Sequence, residues 1–268
     1  MTPALWGILN VTPDSFSDGG LYLEPEDAIA RARQLVDGGA SVIDVGAESS
    51  RPGAERVSAE EEKRRLQPAV EALVSDGMTV SVDTMRAEIA ADMVKRGAQI
   101  VNDVSGGLAD PDMLATVAGL EASYVVMHWR SHSTEMDQMA DYDDVVAEVC
   151  AELRTRVDQA TDAGINPARL MIDPGFGFAK DVNHNWQLAR GLADVVGLGF
   201  PVLVGASRKR FLGAVLNRDH EVTERDGVSA VFSVLAADAG VAAVRVHEPR
   251  MHRDALAVWR AAKEGALS

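Results

Sequence analysis

Eight short apolar runs recur along this chain of 268 residues, and helix-length segments with charged faces separate them. The runs are apolar throughout rather than alternating with polar residues, which is typical of parallel strands buried on both faces of a sheet. Strands that alternate with helices in this way form a layered α/β fold. The runs are Leu5–Leu9, Ser41–Val45, Thr79–Val82, Gln99–Val101, Tyr124–Met127, Leu170–Ile172, Val202–Val204 and Ala242–Val246.

The segments between the runs have the periodicity of amphipathic helices, and several end in glycine, which commonly terminates a helix. Examples are Pro25–Gly38, Ala59–Gly77 and Arg86–Gly97. Eight strand–helix units predict a single (β/α)8 barrel, the TIM-barrel architecture, with residues 1–268 as one domain. A doubly wound open sheet is the alternative arrangement of the same elements.

The charge balance argues against several classes of function. The chain carries 26 basic and 41 acidic residues, which gives a formal net charge of −15. A chain this acidic repels nucleic acid and anionic membranes, so we expect neither as a partner. Its one cysteine, Cys150, excludes a disulfide framework, and its apolar neighbours indicate a core residue. Because no apolar run is long enough to span a bilayer, we expect a cytoplasmic protein.

Polar residues follow most of the predicted strands at the point where each strand ends. In a (β/α)8 barrel, the carboxyl ends of all strands meet at one face, and enzymes of this fold place their active sites there. We therefore expect a polar site at that face. The polar residues at or after the strand ends are Asn10, Asp83, Asn102, His128, Asp173, the run Ser207–Arg210, Arg245 and His247.

Longer motifs surround these residues. They are Gly7–Gly20, Asp173–Phe178, Ser207-Arg208-Lys209 and Arg245-Val246-His247, and they span nearly the whole chain. With these motifs the chain resembles dihydropteroate synthase, an enzyme family of the folate pathway. The resemblance implies a barrel transferase that joins 4-aminobenzoate to the methylene carbon of 6-hydroxymethyl-7,8-dihydropterin diphosphate and releases diphosphate. It also implies competition by sulfonamides, Mg²⁺ as cofactor and a homodimer.

The resemblance assigns a pterin pocket to residues at four strand ends. A pterin ring presents adjacent N–H donors, and one carboxylate can accept two of them. We expect Asp173 to take that role, with Asn102 beside it and Asp83 accepting from a further ring N–H. Lys209 is expected to donate to the ring N5 and O4. The expected apolar walls are Met127, Phe178 and Val104.

Arg245 and His247 alternate on the eighth strand, so their side chains point to the same face. The resemblance assigns both to the diphosphate, whose oxygens match the fork of an arginine. Asn10 offers a neutral oxygen to Mg²⁺, which commonly keeps water and phosphate oxygens as its other ligands. Asp18 is expected to stabilise the cationic methylene carbon, so the expected catalytic residues are Asp18, Lys209 and Arg245.

The loops after the first two strands are long, polar and rich in glycine and proline. We expect them to order over bound diphosphate and to complete the aminobenzoate site. The residues expected to line that site are Phe16, Ser50, Arg51, Pro52 and Ser207.

Three positions depart from the family pattern. Ala47 stands where a second glycine is usual, Ser50 replaces the commoner threonine, and Glu248-Pro249 stands where Asp-Val is usual.

Other charged residues are expected to lie outside the site. Lys180 is expected to be a solvated cation, and the expected surface histidines are His132, His184, His220 and His252.

Two other functions share part of this pattern. A methyltetrahydrofolate-dependent methyltransferase has the same pterin-binding acids but needs a cobalamin partner. A non-catalytic paralogue would be expected to lack some of the strand-end residues. The full loop after the first strand and the Ser207-Arg208-Lys209 motif argue against the methyltransferase. The complete set of strand-end residues argues against the paralogue. Arg208 and Arg210 are expected to face away from the site or to support their neighbours.

Overall fold

The computed structural model describes residues 1–12, 25–48, 57–132 and 136–265. Within these ranges, eight parallel strands form a nearly closed barrel that helices surround. Each strand begins and ends within two residues of one of the apolar runs. The strands are β1 (Ala4–Asn10), β2 (Val42–Gly46), β3 (Val80–Asp83), β4 (Ile100–Asp103), β5 (Ser123–Met127), β6 (Leu170–Asp173), β7 (Leu203–Val204) and β8 (Ala243–Val246).

The strand order shows how the sheet closes. Consecutive strands pair from β1 to β6, while β8 pairs with both β1 and β7. A bridge between Ile172 and Val202 joins β6 to the start of β7, and the Ile172 N–H donates to the Pro201 carbonyl at 2.9 Å. The barrel prediction is therefore confirmed, and the open-sheet alternative is wrong.

Helices follow the strands and cover the outside of the barrel. The three predicted helices start and end within two residues of their expected bounds. Side chains cap several of them: Ser58 accepts from the Glu61 N–H at the start of the second helix. The α-helices among the described residues are α1 (Pro25–Asp37), α2 (Ala59–Ser75), α3 (Ala87–Lys95), α4 (Met113–Ala118), α5 (Val145–Asp162), α6 (Val182–Arg190), α7 (Leu192–Val196), α8 (Arg210–Gly213), α9 (Asp226–Ala239) and α10 (Pro249–Glu264).

The core has two layers. The larger layer lies between the barrel and the helices, and Cys150 of α5 is buried in it, as predicted. The smaller layer fills the barrel interior with one apolar side chain from most strands. Its members are Trp6, Val42, Ile100, Val125, Leu203 and Ala243, with Met171 packed against them.

Strand alternation places polar residues directly above this interior layer. Side chains two positions apart point to the same face of a strand, so each strand that fills the interior also points into it two residues later. Those later positions include Asp44, Asn102, Met127, Asp173 and Arg245. The carboxyl end of the barrel therefore carries a polar layer above an apolar layer.

No helix within the described ranges combines the length and the apolar character needed to cross a membrane.

Candidate active site

Arg245 lies at the centre of the polar layer. Its Nε donates to Asp44 Oδ2, and its Nη2 donates to Asp83 Oδ2 at 2.7 Å. Asp44 also accepts from Asn102 Nδ2 at 3.1 Å. Three strand ends that the sequence predicted for the site, those of β3, β4 and β8, are thus joined through Arg245 and Asp44.

Asp44 is a site residue that the sequence reasoning missed, because it lies inside an apolar run. It is fully buried, and an isolated carboxylate there would be costly without a partner. The signal that would have found it is the strand period: Val42 faces the barrel interior, so Asp44 faces it too. A charged residue at an interior position of a barrel strand is a candidate site residue.

Burial changes the acidity of Asp83. Removal from water raises the pKa of Asp83 to about 7, the Arg245 guanidinium opposes this, and the Asp44 carboxylate reinforces it. The ion pair with Arg245 favours the ionised carboxylate, which can accept a further hydrogen bond.

Asp173 ends β6 and is buried beside the loop that follows it. Its Oδ1 accepts from the Gly175 N–H at 2.7 Å, which fixes the first turn of the loop. Burial raises the pKa of Asp173, while the ammonium of Lys209 acts in the opposite direction. The predicted carboxylate for the pterin edge thus lies in a low-dielectric setting, where its hydrogen bonds are strong.

Lys209 reaches back over the β6 loop. Its Nζ donates to the Phe176 carbonyl and lies 4.4 Å from the centroid of the Phe178 ring, a cation–π arrangement. Burial lowers the pKa of Lys209 to about 8, and Asp173 counteracts that effect. Gly177 makes this approach possible, because a Cβ there would lie 2.8 Å from Lys209 Cδ.

The predicted apolar walls meet in one cluster. Val104, Met127 and Phe178 are buried together with Ala179. Met85 and Trp129 pack against the same cluster, which gives Trp129 a place that the sequence did not assign. This apolar cluster adjoins Lys209 through the Phe178 ring and Asp173 through the pairing of Met127 with Asp173, as a ring with a polar edge requires.

Ser207 and His247 are in contact, although the sequence assigned them to different ligands. His247 Nδ1 lies 3.0 Å from Ser207 Oγ, and the His247 N–H donates to the same oxygen at 3.2 Å. Arg31 of α1 donates to the His247 carbonyl at 2.8 Å. These contacts hold the ends of β7 and β8 together at the edge of the site.

Arg208 supports its neighbours, as expected. Its side chain forms a bidentate ion pair with Asp226, with Nε to Oδ1 at 2.6 Å and Nη2 to Oδ2 at 2.8 Å. Its backbone N–H donates to Ser229 Oγ at 3.0 Å, and its φ of 60° lies in the left-handed region. This anchor sets the turn that directs Lys209 toward the β6 loop.

Five predicted site residues lie outside the described ranges: Phe16, Asp18, Ser50, Arg51 and Pro52. Asn10, the predicted metal ligand, ends β1 at the same face as the other site residues and is partly buried. No group of three or more metal-binding side chains occurs among the described residues. One neutral oxygen from Asn10 fits a magnesium ion held mainly by phosphate and water oxygens.

Two expectations about charged residues are wrong. Lys180 is not solvated: it is buried, and its Nζ contacts His128 and two backbone carbonyls. His252 is not at the surface: it is buried on α10, where its Nδ1 lies 2.7 Å from Ser233 Oγ. The burial of both residues depends on how separate elements pack against them.

Two departures from the family pattern have a structural explanation. Ala47 is fully buried and does not adopt a positive φ, so a Cβ is tolerated there. Pro249 is the first residue of α10, a position where its fixed φ is favourable and no backbone hydrogen bond is lost. Ser50, the third departure, lies outside the described residues.

Comparison with known proteins defines the class of this barrel. A family model described as pterin binding enzyme matches residues 6–247. Since this match covers most of the chain, the protein belongs to the pterin binding enzyme family.

Its relatives within that family are dihydropteroate synthases. The enzyme of Mycobacterium leprae is 51% identical over 257 residues, covering 94% of this chain and 90% of the relative. The Yersinia pestis enzyme, solved with a sulfonamide drug, has a TM-score of 0.94 at 36% identity and covers 98% of this chain and 95% of that one. The Xanthomonas albilineans enzyme with 4-aminobenzoic acid has a TM-score of 0.90 at 43% identity, covering 97% and 93%. The resemblance found in the sequence is thereby confirmed.

Proposed function

We propose that this chain is a dihydropteroate synthase: it condenses 4-aminobenzoate with the pterin diphosphate, forms 7,8-dihydropteroate and releases diphosphate. The observation that carries the proposal is the polar layer itself. Asp83, Asn102, Asp173 and Lys209 converge on one face of the barrel beside an apolar cluster. A related Xanthomonas albilineans structure contains 7,8-dihydropteroate, the product of this reaction.

The pterin is proposed to bind between the polar layer and the apolar cluster. Asp173 accepts from adjacent N–H groups of the pyrimidine edge, and Asn102 supplies a mixed donor and acceptor beside it. Asp83 accepts from a further ring N–H. Lys209 donates to N5 and O4 while Phe178 and Met127 enclose the ring. Asp44 positions Asn102 and Arg245 rather than contacting the ring.

The diphosphate is proposed to lie toward β8 and β1. Two nitrogen atoms of Arg245 donate to Asp44 and Asp83, and its remaining NH₂ group can donate to a diphosphate oxygen. His247 adds a second donor beside it. Asn10 would hold Mg²⁺, which when bound supplies positive charge at the diphosphate oxygens.

The chemistry is substitution at the methylene carbon. The arylamine is neutral at pH 7 and attacks through its own lone pair, so no strong base is needed. The carbon–oxygen bond to diphosphate breaks, the carbon–nitrogen bond forms, and the amine then loses one proton to solvent. The demanding step is departure of the diphosphate, and Arg245 and His247 stabilise its charge. Asp18 is proposed to stabilise the cationic carbon.

The aminobenzoate site is proposed to lie next to Ser207, whose hydroxyl is held by His247. Its other predicted members, Phe16, Ser50, Arg51 and Pro52, lie outside the described residues, so their roles stay predictions.

We also infer a cytoplasmic homodimer from the family resemblance. Sedimentation velocity checks the dimer: a particle of the 28.6 kDa chain mass would contradict it.

One assay tests the function. The purified chain is incubated with 4-aminobenzoate, the pterin diphosphate and Mg²⁺, and dihydropteroate is measured together with released diphosphate. We expect both products in equal amounts. A catalytically inactive chain that still binds the pterin would favour the non-catalytic paralogue, and methyl transfer to a cobalamin partner would favour the methyltransferase.

A further inference from the structure

The side-chain nitrogen of Lys180 is buried among three neutral acceptors. Burial lowers the pKa of Lys180 to about 7, and the Lys209 charge adds to that effect. Only 7% of Lys180 is exposed. Its Nζ lies 2.9 Å from His128 Nδ1 and 3.1 Å from the carbonyl oxygens of both Gly175 and Phe178. Burial of an ammonium group costs free energy unless its hydrogen bonds are satisfied. Three acceptors match the three N–H groups of a protonated lysine.

His128 is arranged to accept from Lys180. Its Nδ1 faces the Lys180 Nζ donor, so Nδ1 carries the lone pair and the ring hydrogen belongs on Nε2, which lies 3.0 Å from a Glu152 carboxylate oxygen. Burial lowers the pKa of His128 to about 4, and the Lys180 charge adds to that effect. The ring is therefore neutral at physiological pH, and Glu152 is itself held by Arg130 at 2.6 Å.

The loop that Lys180 contacts has an unusual backbone. Gly175, Gly177 and Ala179 adopt φ values of 68°, 74° and 48°, so every second residue is left-handed. Ala179 is strained in this conformation because its Cβ crowds the backbone. Lys180 holds the carbonyls on either side of the loop centre, while Asn185 Oδ1 accepts from the Gly177 N–H at 2.6 Å.

The same loop presents its other side to the site. The Phe176 carbonyl accepts from Lys209, the Phe178 ring lies against the Lys209 ammonium, and the Gly175 N–H donates to Asp173. Each of these groups belongs to the peptide segment whose carbonyls Lys180 holds. A shift of the loop would therefore displace the partners of both Asp173 and Lys209.

We propose that Lys180 is a positioning residue for the pterin pocket: its Nζ ties the carbonyls of Gly175 and Phe178 to His128 and thereby fixes the loop surface that faces the substrate. This inference rests on the proposed function. Lys180 acts from behind the loop and does not touch the substrate, so its loss should weaken pterin binding more than aminobenzoate binding.

The test compares Lys180→Met with the wild-type chain. Methionine has a similar length but no donor, so the two carbonyls lose their partner. We expect the dissociation constant for the pterin diphosphate, measured by titration calorimetry with Mg²⁺, to rise roughly tenfold or more, the scale of a lost charged hydrogen bond. The KM for the pterin substrate should rise in parallel, while the KM for aminobenzoate should stay nearly constant.

A matched control separates positioning from general destabilisation. Met113→Ala removes a fully buried side chain of α4 and lowers stability by leaving a cavity outside the site. It should leave pterin affinity unchanged. The proposal is overturned if this control loses as much affinity as Lys180→Met, or if Lys180→Met weakens both substrates equally.

Should Lys180→Met not fold, Lys180→Gln carries the same test, because its amide still donates to one carbonyl. An intermediate loss of pterin affinity supports the proposal, and wild-type affinity overturns it. A wild-type chain that neither binds the pterin diphosphate nor forms product would instead overturn the proposed function. Wild-type turnover together with full affinity in the Lys180 variant would overturn this inference alone.

Discussion

Lys209 links the polar and apolar halves of the site. Its ammonium group contacts the Phe176 carbonyl and the Phe178 ring, while Asp173 supplies the nearby negative charge. Because burial lowers its pKa to about 8, Lys209 is mostly charged at neutral pH and loses its proton in mildly alkaline solution. The residue can therefore donate to a ring nitrogen or carbonyl near pH 7.

Removal of this donor should impair turnover. We expect Lys209→Ala to lower kcat/KM for the pterin substrate by roughly 100-fold, because a charged hydrogen bond in a buried site contributes about 2–3 kcal/mol. Initial rates of dihydropteroate formation measure the effect. Lys263→Ala is the control, since Lys263 is exposed on α10 and pairs with exposed Asp238. Retained activity in Lys209→Ala would show that the pterin pocket is misassigned.

His252 makes the stability of the fold sensitive to acid. Its buried ring contacts Ser233, and burial lowers its pKa to about 4 from the usual 6.5. The unfolded chain therefore binds more protons than the folded chain between these values. By linkage, this residue's contribution to stability is present above pH 6.5 and is lost as the pH falls through 4.

We expect the free energy of unfolding to fall by about 3 kcal/mol from His252 alone between pH 6.5 and 4, since one unit of pKa shift corresponds to about 1.4 kcal/mol. In His252→Asn, which cannot titrate in this range, the decline should be correspondingly shallower. Urea unfolding of both chains at several pH values measures it. Parallel curves for the two chains would contradict the assignment.

The β6 loop depends on glycine at Gly177 for two separate reasons. Its φ of 74° is left-handed, and an added Cβ would lie 2.8 Å from Lys209 Cδ. Gly77, after α2, has nearly the same φ of 77°, but an added Cβ there would meet nothing within 4 Å. The two glycines therefore separate backbone strain from contact with Lys209.

We expect Gly177→Ala and Gly77→Ala each to lose about 1–2 kcal/mol of stability, the cost of a left-handed L-residue. Only Gly177→Ala should also lose activity, because its methyl group displaces Lys209. Thermal unfolding of both variants measures the loss of stability, and their rates of dihydropteroate formation measure the effect on Lys209. Equal activity in the two variants would mean that the loop does not set the Lys209 position.

The barrel as a whole has one weak seam. Most neighbouring strands share several paired residues, whereas β6 and β7 are joined at the Ile172–Val202 bridge. β7 itself spans only Leu203–Val204. Local opening starts where few backbone hydrogen bonds must break, so the seam is the expected site of opening.

Hydrogen exchange should reveal this seam. We expect the amides of Leu203 and Val204 to exchange roughly tenfold or more faster than those of Val125 and Val126 in β5, because fewer bonds hold β7 in place. Residue-resolved exchange at neutral pH provides the measurement. Uniform protection across all strands would mean that the barrel opens only as a single unit.

Much of this architecture could be predicted from the sequence. The apolar runs predicted every strand to within two residues, and the polar residues after them predicted the face that carries the site. These features are local: strand pattern and chain order fix which residues reach the carboxyl end of a barrel. The family resemblance added the substrate and the expected roles of Asp173 and Lys209.

Other features could not be predicted because they depend on distant neighbours. The strand period marks Asp44 as a candidate, but its partners Arg245 and Asn102 are brought against it only when β2, β4 and β8 come together. Lys180 has a cationic type of side chain, which is ordinarily exposed to solvent. Its burial follows from contact with His128 at the end of β5, more than fifty residues earlier in the chain.

The sequence by itself determined the eight-stranded barrel, the face that carries the site and the types of side chain at that face. These features follow from strand alternation and strand order, which are properties of the sequence. The tertiary structure alone decided which charges pair, which are buried and how the β6 loop is held. Those outcomes depend on distances between elements that are far apart in the sequence. The packing of these elements therefore decides whether a lysine is solvated or buried.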